Sequence, residues 1–130
     1  MSLLLDTHVV LWWLTDDRRL GAAARERIAD PRDDIRVSAV AIWEAAIKWR
    51  IGRLDVAIPP ERFVEALHAQ NFGELAVTFT HAAQVGRLPL YHRDPFDRLM
   101  IVQAQIEGLS LVTADAAFAA YDVPVVDALT

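Results

Sequence analysis

Four acidic residues stand at the ends or on the inner sides of apolar segments. They are Asp6, Glu44, Asp97 and Asp115. A carboxylate at the edge of a hydrophobic core is costly unless it is paired or holds a metal ion. Four carboxylates that meet in one place repel one another, and a bound cation removes that repulsion. Because carboxylate oxygens suit hard cations, the pattern predicts a Mg²⁺ site, with Mn²⁺ as a substitute, and phosphoryl chemistry.

Each of these acids also has an ordinary structural explanation. Asp6 and Asp115 can cap the helices that follow them, and Asp97 can interact with the dipole at the start of its helix. Glu44 can form an i,i+4 ion pair with Lys48, although its other neighbours in the sequence are mostly apolar. Both explanations stay open for each residue alone, and the coincidence of four favours a shared site.

The composition indicates one domain, residues 1–130, with a sizeable core. Apolar residues make up 54% of the chain, and cysteine is absent, which excludes disulfides and thiolate metal sites. The apolar run at residues 3–14 contains an acid and a histidine and is too short to span a bilayer. No signal peptide is visible, so we expect a cytoplasmic protein with no membrane contact.

Short apolar runs alternate with longer helical patterns along the chain. This alternation predicts an α/β fold, with a doubly wound, mainly parallel five-stranded sheet flanked by helices. Such sheets bind ligands beyond the carboxyl ends of their strands, where all four acids are expected. The predicted strands are 3–6, 35–38, 75–78, 109–113 and 124–126. The predicted helices are 7–14, 21–29, 39–51, 60–70, 80–87, 95–107 and 116–121.

The histidines form no pair with the spacing of zinc ligands, so Zn²⁺ is disfavoured. His8 and His92 lie near the predicted site in the sequence. A single histidine is more often structural than catalytic, and we assign neither a direct role.

Four segments, taken in order, resemble the motifs of PIN-domain ribonucleases, above all the VapC-type toxins of bacterial toxin–antitoxin pairs. The segments are 3–13, 38–44, 92–104 and 111–115, and the third is the most specific. The resemblance covers essentially the whole chain.

This resemblance implies a Mg²⁺-dependent endoribonuclease. Asp6 and Asp97 would be the main metal ligands, while Glu44 and Asp115 would complete the shell and position water. Many PIN domains carry another acid just after the fourth motif, where this chain has apolar residues 116–118. The number of metal ions is therefore left open.

The resemblance also implies supporting roles around the four acids. Thr7 and Thr113 would steady the carboxylates by hydrogen bonding, and Asp94 would cap a helix rather than bind metal. Arg93 and Arg98 flank Asp97 and are the candidate contacts to RNA phosphates.

Two partners besides RNA are implied by the resemblance. One is a cognate antitoxin, whose basic tail would lie across the acidic site and insert an arginine. The other is a second copy of the chain, since a homodimer fits the apolar excess. Candidate interface residues are Trp12, Trp13, Trp43 and Trp49.

Other classes of protein share part of this pattern. A receiver-type phosphoacceptor domain has a similar acid cluster, but it needs a lysine late in the sheet and Lys48 is the only lysine. A flap-type DNA nuclease would normally need a longer chain. A non-catalytic acidic binding module predicts no effect of metal ions.

Overall fold

A five-stranded, entirely parallel sheet forms the centre of the protein, with strand order β3-β2-β1-β4-β5. The computed structural model describes residues 1–54, 56 and 58–130. The α/β class and the doubly wound parallel sheet predicted from the sequence are confirmed. The strands are β1 Ser2–Leu5, β2 Asp34–Ser38, β3 Gly73–Leu75, β4 Ser110–Thr113 and β5 Val125–Asp127.

In the described ranges, six α-helices lie between these strands. They are α1 Thr7–Leu14, α2 Ala22–Ala29, α3 Ala39–Arg50, α4 Pro60–Ala69, α5 Phe79–Gln84 and α6 Pro95–Glu107. Helix α6 ends at Gly108, whose φ of 67° suits the left-handed conformation of a helix C-cap. No helix in the described ranges is long and apolar enough to cross a bilayer.

The register of the central strands brings the site to one edge of the sheet. Leu5, the last residue of β1, is paired with Val37 of β2 and with Val112 of β4. Parallel strands that end level with one another present their following residues at the same edge. Asp6 and Thr113 therefore meet there, at the point where the strand order reverses.

Three predicted elements differ from the structure in more than one residue at an end or in the type of helix. The third strand is Gly73–Leu75 rather than 75–78, because Thr78 instead caps α5 by accepting a hydrogen bond from the His81 amide. The helix predicted at 80–87 gives way to a 3₁₀ turn at Val85–Arg87, and the one predicted at 116–121 is a 3₁₀ helix, Ala116–Ala120.

The buried amide of Gln103 fixes α6 against the sheet. Its oxygen accepts a hydrogen bond from Ser38 Oγ at 2.6 Å, and its nitrogen donates to the Ala76 carbonyl at 3.3 Å. Both protein partners lie at the carboxyl ends of strands or just beyond them. These bonds set the position of α6, and with it the position of Asp97 in its first turn.

The four tryptophans named as interface candidates are not equally exposed. Trp12 is buried in the core, and Trp13 packs against the core and donates a hydrogen bond to Gln70. Trp43 and Trp49 of α3 are 58% and 43% exposed. The tryptophan surface available for a partner is therefore on α3 rather than α1.

Candidate active site

The carboxylate of Asp6 lies at the carboxyl end of β1, and both of its oxygens accept hydrogen bonds. Its Oδ1 accepts a hydrogen bond from the Val9 amide at 2.8 Å, which caps α1. Its Oδ2 accepts one from the Thr113 hydroxyl at 2.5 Å. Burial raises the pKa of Asp6 above its ordinary value, although the bonds from Thr113 and Val9 oppose the rise. Asp6 therefore caps α1 and, with the same carboxylate, faces the interior of the protein.

Glu44 is buried in the second turn of α3 and is 2% exposed. Its Oε1 accepts a hydrogen bond from the Thr7 hydroxyl at 2.6 Å, and its Oε2 pairs with Lys48 Nζ at 2.6 Å. The i,i+4 ion pair considered from the sequence is present, but it lies on the inner side of the helix. Lys48 therefore offsets part of the negative charge of the cluster.

Asp97 has a strongly perturbed carboxyl group. It lies in the first turn of α6 behind Asp94, which caps the helix by accepting hydrogen bonds from the amides of Phe96 and Asp97. Burial, reinforced by the charges of Asp94 and Glu44, raises the pKa of Asp97 to about 7, and the charge of Asp6 adds to the rise. The chain thus concentrates negative charge here beyond what its own side chains neutralise.

Asp115 joins the cluster from the end of β4. Its Oδ1 caps the following 3₁₀ helix by accepting from the Ala117 amide at 2.9 Å, and its Oδ2 lies 2.9 Å from His92 Nε2. Burial opposes ionisation of Asp115, but the bonds from Ala117 and His92 outweigh it and lower its pKa. The Thr113 hydroxyl, which donates to Asp6, also accepts from the Asp115 amide at 3.0 Å.

The four predicted acids are therefore brought to one edge of the sheet. Asp6 and Glu44 act electrostatically on Asp97, and the hydroxyl of Thr113 connects Asp6 with Asp115. The predicted hydrogen bonds from Thr7 and Thr113 and the predicted cap at Asp94 are confirmed.

The contacts of Arg98 contradict its predicted role as a contact to RNA phosphates. Its guanidinium is buried and donates hydrogen bonds to four backbone carbonyls at 2.8–3.2 Å. With its donors directed into the protein, Arg98 is not available as a phosphate contact, and that prediction is wrong. Arg93 is exposed and remains a candidate. The carbonyl acceptors belong to Val85, Leu88, Pro89 and His92.

His92 joins the acidic cluster, although the sequence analysis assigned it no direct role. Its Nε2 lies 3.2 Å from Asp97 Oδ2 and 2.9 Å from Asp115 Oδ2, so one nitrogen contacts two of the four acids. These three side chains place ligand atoms within 4.8 Å of one another. The sequence offered one signal, which is that His92 lies two residues before the helix cap Asp94. This spacing lets its Nδ1 accept a hydrogen bond from the Asp94 amide.

Comparison with known proteins places the chain in a family. A sequence model of the PIN domain matches residues 3–124. Ribonuclease VapC22 of Mycobacterium tuberculosis is 34% identical over 115 residues, which are 88% of this chain and 87% of that protein. The chain belongs to the PIN-domain family, and the resemblance identified from its four motifs is confirmed.

Solved structures share the fold at low sequence identity. VapBC2 from Rickettsia felis, bound to a DNA fragment from its promoter, matches with a TM-score of 0.74 and 12% identity, covering 98% of both chains. A toxin–antitoxin complex from Klebsiella pneumoniae matches with a TM-score of 0.66 and 20% identity, covering 96% of both chains. At these identities the likeness establishes the architecture alone.

Proposed function

We propose that this chain is a Mg²⁺-dependent endoribonuclease and the toxin of a toxin–antitoxin pair. The observation that carries the proposal is the convergence of Asp6, Glu44, Asp97 and Asp115 on one sheet edge. Membership of the PIN-domain family and the 34% identity to a protein named as a ribonuclease support the same activity.

The donor set fits a hard divalent cation. It consists of carboxylate oxygens. Burial first, and the charges of neighbouring acids in addition, raise the pKa of both Asp6 and Asp97, so a bound cation would favour their ionised forms. Asp6 and Asp97 would hold the ion, and Glu44 and Asp115 would complete the site. When bound, such an ion acidifies water and stabilises charge on phosphate oxygens.

The surrounding residues keep the acids in place for a phosphodiester substrate. Thr7 and Thr113 each donate to one carboxylate, which fixes its orientation before substrate arrives. Lys48 limits repulsion without entering the cluster. Arg93 lies exposed beside the cap of α6 and can offer a planar cation to a phosphate of the RNA backbone.

RNA cleavage with and without Mg²⁺ tests this activity. We expect wild-type protein to cut RNA only with Mg²⁺, and Asp6→Asn to lose at least about 100-fold of the rate, because it loses a charged ligand oxygen. Asp122→Asn is the control, since it removes the same charge from an exposed position outside the cluster. Equal cleavage by wild type and Asp6→Asn would contradict the proposed site.

An apolar groove beside the site supports a protein partner. A cavity of about 310 Å³ lies between α3, α4 and the β2–β3 edge. Trp43 at its rim packs edge-on against Phe96 with ring centroids 5.0 Å apart, and these residues precede Glu44 and Asp97. The groove and the acidic cluster are therefore both formed in part by α3. Its apolar lining includes Ile42, Trp43, Ala46, Val64, Leu67 and Phe72.

This arrangement suits an antitoxin with an apolar segment followed by a basic residue. The apolar segment would fill the groove, and an arginine would reach the carboxylates and block them. That relatives of the same fold were solved as toxin–antitoxin complexes supports this partner. A homodimer is part of the same proposal.

We expect Val64→Glu to weaken inhibition by the antitoxin about 100-fold while leaving RNA cleavage intact. Val64 lines the groove, and a buried charge there would oppose an apolar partner. The measurement is a titration of cleavage activity with the product of the neighbouring gene. Val125→Glu, on the exposed side of β5, is the matched control, and equal inhibition of both variants would rule out this groove.

Competing classes of function are less well supported by the structure. A receiver-type phosphoacceptor domain needs a free lysine at its site, whereas Lys48 is paired with Glu44. A non-catalytic acidic module would leave the raised pKa of Asp97 without a role, and it predicts no Mg²⁺-dependent cleavage.

A further inference from the structure

Two aromatic side chains lie directly before two of the four acids in the chain. Trp43 precedes Glu44 on α3, and Phe96 precedes Asp97 on α6. Their rings pack edge-on, with centroids 5.0 Å apart. Because consecutive Cα atoms are about 3.8 Å apart, the pair is attached to the backbone immediately beside two of the proposed carboxylate ligands. An aromatic contact therefore joins the two helices next to the acidic cluster.

Trp43 remains largely exposed in this contact. Its exposed fraction is 58%, whereas Phe96 is partly buried and packs against the core. Phe96 therefore supports the indole from one side, and more than half of the Trp43 surface stays open to a ligand. A tryptophan held in this way offers a large, rigid apolar face at low cost in conformational entropy, which is typical of a binding surface.

Exposed arginines flank the aromatic pair. Arg93 lies three residues before Phe96. Arg50 lies seven residues after Trp43, which is close to two helical turns and places it on the same side of α3. Neither arginine forms an ion pair with a residue that the structure describes. Guanidinium groups bind phosphates, and aromatic rings combined with a basic surface are typical of sites that hold unpaired nucleotides.

We infer that Trp43, supported by Phe96, is a binding residue that stacks against an unpaired base of the RNA beside the cleaved phosphate. A base can stack on a side chain only where it has left its own helical stack, as in loops and at ends. Arg50 and Arg93 would contact the phosphates on either side. The inference rests on the proposed ribonuclease function and assigns part of its substrate binding to one side chain.

RNA binding to the cleavage-deficient Asp97→Asn protein tests the inference without consuming the RNA. Fluorescence anisotropy compares a short, labelled single-stranded RNA of mixed sequence with a ribose–phosphate chain of the same length that carries no bases. Adding Trp43→Ala should weaken binding of the RNA by about 10-fold to 100-fold. Binding of the base-free chain should change by less than about twofold, because the phosphate contacts remain.

Two further variants control for other effects of the substitution. Trp43→Phe should retain most of the affinity for RNA, because it keeps an aromatic face. Phe79→Ala is the matched control, since it removes a ring that is 96% exposed and is adjacent in sequence to none of the four acids. We expect Phe79→Ala to bind the RNA as tightly as the parent protein.

The outcomes separate this inference from the proposed function. Equal RNA affinity with and without Trp43→Ala, or an equal loss for the RNA and the base-free chain, would overturn the role of Trp43 while the nuclease proposal stands. Trp43 also lines the apolar groove, so weaker inhibition by the antitoxin with unchanged RNA affinity would assign it to the groove alone and overturn the inference. A wild type that cuts no RNA would overturn the nuclease proposal, whereas a base-dependent loss of affinity in Trp43→Ala would still support the role of Trp43.

Discussion

Asp97→Asn is expected to abolish RNA cleavage and, in the absence of metal, to make the protein more stable. The variant removes one of the two proposed main ligands, so we expect cleavage to fall by about 1,000-fold, equivalent to several kcal/mol of transition-state stabilisation. It also removes a charge that is repelled by Asp94, Glu44 and Asp6. The two effects have opposite signs, which distinguishes loss of function from loss of fold.

The stability difference should depend on pH in a defined direction. The pKa of Asp97 is raised to about 7 in the folded protein from an ordinary value of 3.8. Between these values the folded chain keeps a proton that the unfolded chain has released, so wild type loses stability as pH rises from about 4 to about 7. Asp97→Asn lacks this titration. Allowing for partial exposure, we expect it to be more stable by on the order of 1–2 kcal/mol above pH 7.

Urea unfolding in a chelator, repeated across this pH range, measures the effect. Asp122→Asn is the matched control, because it makes the same substitution at an exposed position outside the cluster and keeps the proposed ligand. Added Mn²⁺ should reverse the order by stabilising wild type, by about 2.7 kcal/mol at one hundred times the dissociation constant. A wild type that gains stability relative to Asp97→Asn between pH 4 and 7 without metal would contradict the assigned pKa.

Arg98→Met should be the most destabilising substitution of a polar residue near the site. Methionine fills a similar volume but cannot donate, which leaves the carbonyls of Leu88 and His92 without a donor. The Pro89 carbonyl keeps the Tyr121 hydroxyl, and the Val85 carbonyl keeps the Leu88 amide. Unsatisfied buried acceptors cost about 1–3 kcal/mol each, and partial access to water reduces the sum. We expect the free energy of unfolding to fall by about 3–4 kcal/mol.

Arg93→Met separates the two neighbouring arginines. In the part of the chain that the structure describes, the exposed side chain of Arg93 has no recorded bond to another residue, so its stability should change by less than about 0.5 kcal/mol. Its effect should appear in RNA binding and in the salt dependence of cleavage. A mild stability loss in Arg98→Met, comparable to that in Arg93→Met, would contradict the structural role assigned to Arg98.

The residues at strand ends were predictable because their contacts are local. Asp6 and Asp115 follow apolar strands and precede helices, so their position at the carboxyl edge follows from the parallel order alone. Asp97 is placed by the cap at Asp94 and the proline after it, a local signal for a helix start. Glu44 was predicted to face the site because its neighbours in the sequence are mostly apolar. In each case the side chain makes the local structural interaction that the sequence predicted, and it also lies at the shared edge of the sheet.

The roles of Arg98 and His92 could not be read from the sequence, because their partners are set by tertiary contacts. Arg98 flanks Asp97 and looks like a phosphate ligand, yet its guanidinium donates to four carbonyls of the preceding segment, residues 85–92. His92 became part of the site because that loop is held against α6 and Tyr121. By itself, then, the chain determined the parallel sheet and the four acids, through apolar patterning and capping signals. The packing of residues 85–92, whose backbone carbonyls accept hydrogen bonds from the buried guanidinium of Arg98, decided which neighbours of the acids face the site.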